Sequence, residues 1–118
     1  MVLVDTSVWV SHLRDGNVGL EKLLNAGEVL SHPFIVGELA CGNLQNRHEI
    51  LTYLQSLPMA IQAEDEEVLK FVENNQLMGK GLGYIDAHLM ASAILTSVPL
   101  WTFDKTLDKF IKKIGINY

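Results

Sequence analysis

Cysteine is almost absent from this 118-residue chain, where Cys41 stands alone. One thiol closes no disulfide within the chain and supplies no thiolate cluster for zinc. Such usage suits a reducing compartment, and the cytoplasm is the expected location. Basic residues are also scarce: nine Lys and Arg stand against fourteen Asp and Glu, a formal net charge of −5. A surface poor in cations argues against binding nucleic acid by phosphate neutralisation. There is one exception, since acids gathered around a divalent cation turn the local field positive. No apolar run reaches the ~18 residues that read as a membrane span. The first residues, MVLVDTSV, put no basic segment ahead of Asp5. Neither a membrane span nor a secretory leader is expected.

What is present is a globular composition, 48% hydrophobic and 19% charged. A chain of this length buries roughly two-thirds of its unfolded surface, enough for one core, so residues 1–118 are expected to form a single domain. Five short apolar runs read as strands: VLV (2–4), EVLS (28–31), MAIQ (59–62), PLWTF (99–103) and GINY (115–118). Most lack alternation, which suits strands covered on both faces. Helix signals lie between them. Ser7 is expected to cap a helix through about Arg14, and Asn17 or Gly19 opens another through Asn25. Pro33 fits a first helical position, with Gly42 as the stop. Arg47 to Ser56, the acid-led stretch 63–78, YIDAHLMASAIL and the basic-ended DKTLDKFIKK complete the set. This alternation predicts an α/β fold, a three-layer α/β/α sandwich around a five-stranded parallel sheet.

Ligands of open parallel sheets bind at the carboxyl ends of the strands. Four acids are expected at that edge. Asp5 ends the first strand, Glu38 lies early in the helix after the second, Asp86 opens the most apolar helix, and Asp104 follows the fourth strand. Each also has an ordinary reading. Asp5 and Asp104 suit helix N-caps, Asp86 suits a first helical turn, and Glu38 suits a solvated helix face. What caps do not require is that all four be embedded in apolar sequence.

Two carboxylates about 4 Å apart repel by on the order of 4 kcal/mol at an effective dielectric of 20. Three or four converging would cost on the order of a small domain's whole stability, ~5–15 kcal/mol. Such a cluster persists if some acids protonate or a divalent cation sits among them. All-oxygen ligation suits Mg²⁺ or Mn²⁺, and metal held by carboxylates can drive phosphodiester hydrolysis.

Rival chemistries find less support. Gly79-Lys80-Gly81-Leu82-Gly83 lacks the spacing and hydroxyl residue of a phosphate loop and reads as an inter-helix connection. His12, His32, His48 and His88 show no metal-ligand spacing, and no serine has a nucleophile-elbow context. Trp9 and Trp101 read as core or interface residues.

VLVDTSVWV, the glutamate of FIVGELACG, GLGYIDAHLMASA and LWTFDKTL together resemble the four acidic motifs of the PIN-domain ribonucleases. The likeness is nearest to the short VapC-type toxins of bacterial and archaeal toxin–antitoxin pairs, and runs from Val2 to about Phe110. The resemblance implies a metal-dependent RNA endonuclease in which Asp5, Glu38, Asp86 and Asp104 ligate Mg²⁺ or Mn²⁺ that activates water. Thr6, Ser7 and Thr102 match hydroxyl positions that orient carboxylates or water. Asp108 is an additional acid, read as a solvated helix residue. The resemblance further implies a homodimer and a small antitoxin protein that places a basic side chain among the acids. Two alternatives remain at this point: a housekeeping PIN nuclease for RNA processing, and a non-catalytic module that holds metal for structure or for a partner. Arg14, Arg47, Lys80 and Lys105 are the candidate phosphate contacts.

Overall fold

The computed structural model describes residues 1–118. Val2–Val4 form β1, and all three side chains are buried. Successive side chains along a strand point to opposite faces, so both faces of the sheet are covered. β1 pairs in parallel with β2 (Val29–Leu30) on one side and with β3 (Leu100–Trp101) on the other. The order β2-β1-β3 means that the chain leaves β1 toward one neighbour and returns later to the opposite one. A reversal of this kind opens a crevice at the carboxyl end of the strands.

The sheet has three strands, not the expected five. Segments 59–62 and 115–118 each contribute a single parallel bridge, Ser31 with Met59 and Leu100 with Asn117. The reasons are local. Pro58 has no N–H to donate, so its carbonyl and the Ala60 N–H make two bonds to Ser31, of 2.9 and 2.8 Å. The next N–H, of Ile61, turns away to Thr96 Oγ1 at 2.9 Å. At the other edge Leu100 N–H donates to Ile116 O at 2.8 Å and Leu100 O accepts from Tyr118 N–H at 3.1 Å.

Seven helices surround the sheet: α1 (Thr6–Asp15), α2 (Val18–Asn25), α3 (Pro33–Ala40), α4 (Arg47–Ser56), α5 (Asp65–Asn74), α6 (Tyr84–Thr96) and α7 (Lys105–Lys113). Their starts follow capping chemistry. Asn17 caps α2 by accepting from Leu20 N–H at 2.9 Å. Pro33 occupies the first turn of α3, where an absent N–H costs nothing. Asp65, Glu66 and Glu67 favour the positive end of α5, and Lys112 and Lys113 the negative end of α7. α6 is buried without a break from Ala87 to Ala93, and it packs against α5 and β3. Leu3, Leu89, Met90 and Leu100 are wholly buried in the main core. Each such side chain contributes roughly 1.5–3 kcal/mol, which fixes β1 and α6 as the rigid parts that carry Asp5 and Asp86.

Candidate active site

β1 delivers Asp5 into the crevice between its two neighbours. Asp5 is 6% exposed, and its backbone is held on both sides. Its N–H donates to Trp101 O at 2.9 Å, and its carbonyl accepts from Val8 and Trp9. It occupies the N-cap position of α1, yet its side chain does not cap. Instead Oδ2 accepts from Ser7 Oγ at 2.8 Å and from Thr102 Oγ1 at 2.7 Å. Ser7 lies inside α1 and does not cap it, contrary to the sequence expectation. Its hydroxyl accepts from Phe103 N–H at 2.9 Å and so ties α1 to the segment after β3.

The other three acids are arranged alike. Glu38 Oε1 accepts from Thr6 Oγ1 at 2.7 Å, which links α3 to the start of α1. Asp86 Oδ2 accepts from Gly83 N–H at 3.1 Å, as a first-turn acid does. Asp104 caps α7, with Oδ1 accepting from Leu107 N–H at 2.9 Å, while its own N–H donates to Thr102 Oγ1 at 3.0 Å. The ordinary reading of Asp104 as a cap is therefore correct, and it accounts for one oxygen. In all four carboxylates one oxygen is tied within the chain. The second oxygen, Oδ1 of Asp5 and Asp86, Oδ2 of Asp104 and Oε2 of Glu38, takes no hydrogen bond from it.

Electrostatics bring the four together. Burial is the largest cause holding the Asp86 carboxyl above the ordinary aspartate range. The Gly83 N–H opposes that shift, and the charges of Asp5, Asp104 and Glu38 add to it. The carboxylates do not close into a cage as they stand, and no three His, Cys, Asp or Glu side chains are arranged to take a metal ion. The donor set nevertheless fits a hard divalent cation: all oxygen, anionic, each side chain oriented through one oxygen with the other uncommitted.

Comparison with known proteins decides the family. The PIN domain family profile matches residues 2–113. This chain belongs to the PIN domain family. Ribonuclease VapC32 of Mycobacterium tuberculosis, in strains CDC 1551 / Oshkosh and ATCC 25618 / H37Rv, is 39% identical over 117 residues. That similarity spans 98% of this chain and 94% of the relative. Among solved structures, PAE2754 from Pyrobaculum aerophilum is similar in fold, with a TM-score of 0.62 at 18% identity. The match covers 92% of this PIN domain and 77% of that chain.

Around this PIN domain's crevice, basic residues divide into engaged and unengaged. Arg14 pairs with Asp15 at 2.8 Å, and Arg47 donates to the carbonyls of Ala40 and Gly42. Lys80 and Lys105 are exposed, and Lys105 directly follows Asp104. Asp108 pairs with Lys112 at 2.7 Å one turn along α7, as expected of a solvated helix residue. Sequence spacing missed His32 and His88, which line one cavity although 56 positions separate them. The signal was available: His32 ends the run after β2 and His88 lies in the first turns of α6, both at the edge searched for acids alone.

Proposed function

We propose that this PIN domain is an RNA endonuclease acting as the toxin of a toxin–antitoxin pair, with cytoplasmic RNA as substrate. The observation that carries the reading is the set of four half-held carboxylates at the strand-order reversal. The 39% identity to Ribonuclease VapC32 supports the same conclusion.

Asp5, Glu38, Asp86 and Asp104 would hold Mg²⁺ or Mn²⁺ through their uncommitted oxygens. Such a cation, when bound, would supply Lewis-acid stabilisation of the phosphodiester's developing charge. The chain's own part is positional and acid–base. Thr102 and Ser7 fix the Asp5 carboxylate, and Thr6 fixes that of Glu38. Asp86, whose Oδ2 is held by the Gly83 N–H, would take a proton from the attacking water. Water then adds to phosphorus, the bond to the leaving oxygen breaks, and that oxygen leaves with a proton from solvent.

A cavity of about 520 Å³ supports an inhibitory partner. It is lined by Val10, Leu13, Leu39, Leu44 and Ile50, and it reaches Arg14 and Glu38. An amphipathic antitoxin segment seated there would bring a basic side chain to the acids. Leu69, Ile94 and Leu95, exposed on α5 and α6, support association of two copies.

Excess chelator is expected to abolish cleavage of cellular RNA, and Mn²⁺ to restore it. Undiminished cleavage in chelator would overturn the mechanism. Induction without a partner separates a toxin, which arrests growth, from a processing enzyme, which does not. Thr102→Val removes the donor to Asp5 and the acceptor for the Asp104 N–H. It is expected to cost about 1–3 kcal/mol in urea unfolding and about 10–100-fold in cleavage rate.

A further inference from the structure

A second cavity, of about 420 Å³, lies between the starts of α3 and α5 and helix α6, and plays no part in the mechanism above. His32, Phe34, Gln62 and His88 line it, with the exposed acids Glu64, Asp65 and Glu66 at its rim. His32 is 1% and His88 3% exposed, and the Nε2 atom of each is buried with no hydrogen-bond partner. Buried polar atoms are almost always paired, so the unpaired His32 Nε2, on a residue that lines the cavity, points to a ligand.

The tautomers narrow the choice. His32 Nδ1 accepts from Phe34 N–H at 3.0 Å, which places the ring proton on Nε2. Burial and the neighbouring His88 push the His32 pKa down to about 4, so the ring is neutral and Nε2–H is a donor. A protonated ring nitrogen ligates no metal, and a Lys or Arg side chain would set donor against donor. Asp65 supplies the opposite polarity. Its Oδ1 accepts from Tyr84 Oη at 2.9 Å and lies 3.2 Å from His88 Nε2 without hydrogen-bond alignment. Three of the lining side chains are rings in contact, Phe34 lying 5.2 Å from His32 and 4.8 Å from His88, and Tyr84 stands behind His88, edge-on at 4.6 Å. The ligand must therefore be flat and carry an acceptor beside donors on one edge.

We propose that this cavity is a base-reading subsite, which takes one unpaired nucleobase of the RNA near the scissile phosphate. Unpaired RNA bases are recognised in this way, splayed from the strand against aromatic side chains and read along one edge. Guanine matches best: its N1–H and 2-amino group address the Asp65 carboxylate while O6 accepts from His32 Nε2–H. The acidic rim turns phosphates away and admits the uncharged base. The cavity shares its helices with the crevice: His32 and Phe34 begin α3, which carries Glu38, and His88 lies on α6, on a different face from Asp86.

The subsite rests on the nuclease reading, and its test separates the two. A pool of random single-stranded RNA is cut by the full chain in Mn²⁺ and sequenced at its new ends. One position beside the cut is expected to favour guanine over uracil by about tenfold. Asp65→Asn and His32→Asn, the latter keeping a good N-cap residue, are expected to bring that ratio near parity while thermal melts confirm folding. An unchanged ratio in both variants overturns the proposal. It also falls if those variants lose an antitoxin segment while base preference persists, since the cavity then serves a protein. If wild type cuts no RNA, the nuclease reading fails by itself, and binding decides the subsite. Guanosine 5′-monophosphate, but not uridine 5′-monophosphate, is then expected to shift the His32 Nε2–H resonance in wild type and not in Asp65→Asn. No shift with either nucleotide overturns it.

Discussion

Asp5→Asn is expected to lower RNA cleavage by at least about a thousandfold, a loss on the scale of removing a main electrostatic group from an active site, while the fold stands. The reason is the way the carboxylate is held. Ser7 and Thr102 both donate to Oδ2, and an asparagine oxygen in the same place accepts both bonds. The amide nitrogen then takes the position of Oδ1, where an anionic donor is replaced by a pair of N–H groups that repel cations. Backbone bonds to Trp101, Val8 and Trp9 are untouched. The measurement pairs a cleavage assay with thermal unfolding, and growth arrest on induction is expected to vanish as well. Cleavage at the wild-type rate in a folded variant would remove Asp5 from the mechanism.

Asp86→Asn is expected to abolish cleavage and, at neutral pH, to make the protein more stable. Burial first, and then the charges of Asp5, Asp104 and Glu38, raise the Asp86 carboxyl above its ordinary 3.8. A carboxyl raised on folding contributes stability that is fully present below its unfolded value and is lost as pH rises through the folded one. Above that range wild type bears the cost of an ionised Asp86, and the amide does not. Asparagine keeps an acceptor for Gly83 N–H, so the start of α6 is preserved. Melting temperature near pH 7 should therefore exceed wild type by a few degrees, and the gap should close as pH falls through the carboxylate range. Added Mn²⁺ should raise wild type more than the variant. A variant less stable than wild type at pH 7, melted without divalent metal, would contradict the electrostatic account.

Much of this was legible in the residues. Apolar runs ending in an acid place Asp5 and Asp104 at the strand ends, and an acid opening the most apolar helix places Asp86 where buried packing holds it. Glu38 was found because its neighbours are apolar, although it is itself exposed. Strand count was not legible. Composition makes MAIQ and GINY look like β1, but Pro58 and the Ile61 bond to Thr96 limit the first to one bridge. The histidine cavity was hidden for another reason. Neither His32 nor His88 has a sequence neighbour that explains it, and the two meet only because α3 and α6 converge on α5. The fold supplies the spacing that the chain does not.

The single bridges at the two edges of the sheet carry a consequence for association. Residues 58–60 bond Ser31 just past β2, and residues 116–118 bond Leu100 in β3, so each edge of the sheet is partly covered against a neighbouring molecule. Each covering segment is itself too short to template another strand. Growth of the sheet from copy to copy is thereby disfavoured at both sides. Association through side chains on the helices would leave the hydrogen bonding of β1, and with it the seat of Asp5, the same in one copy as in two.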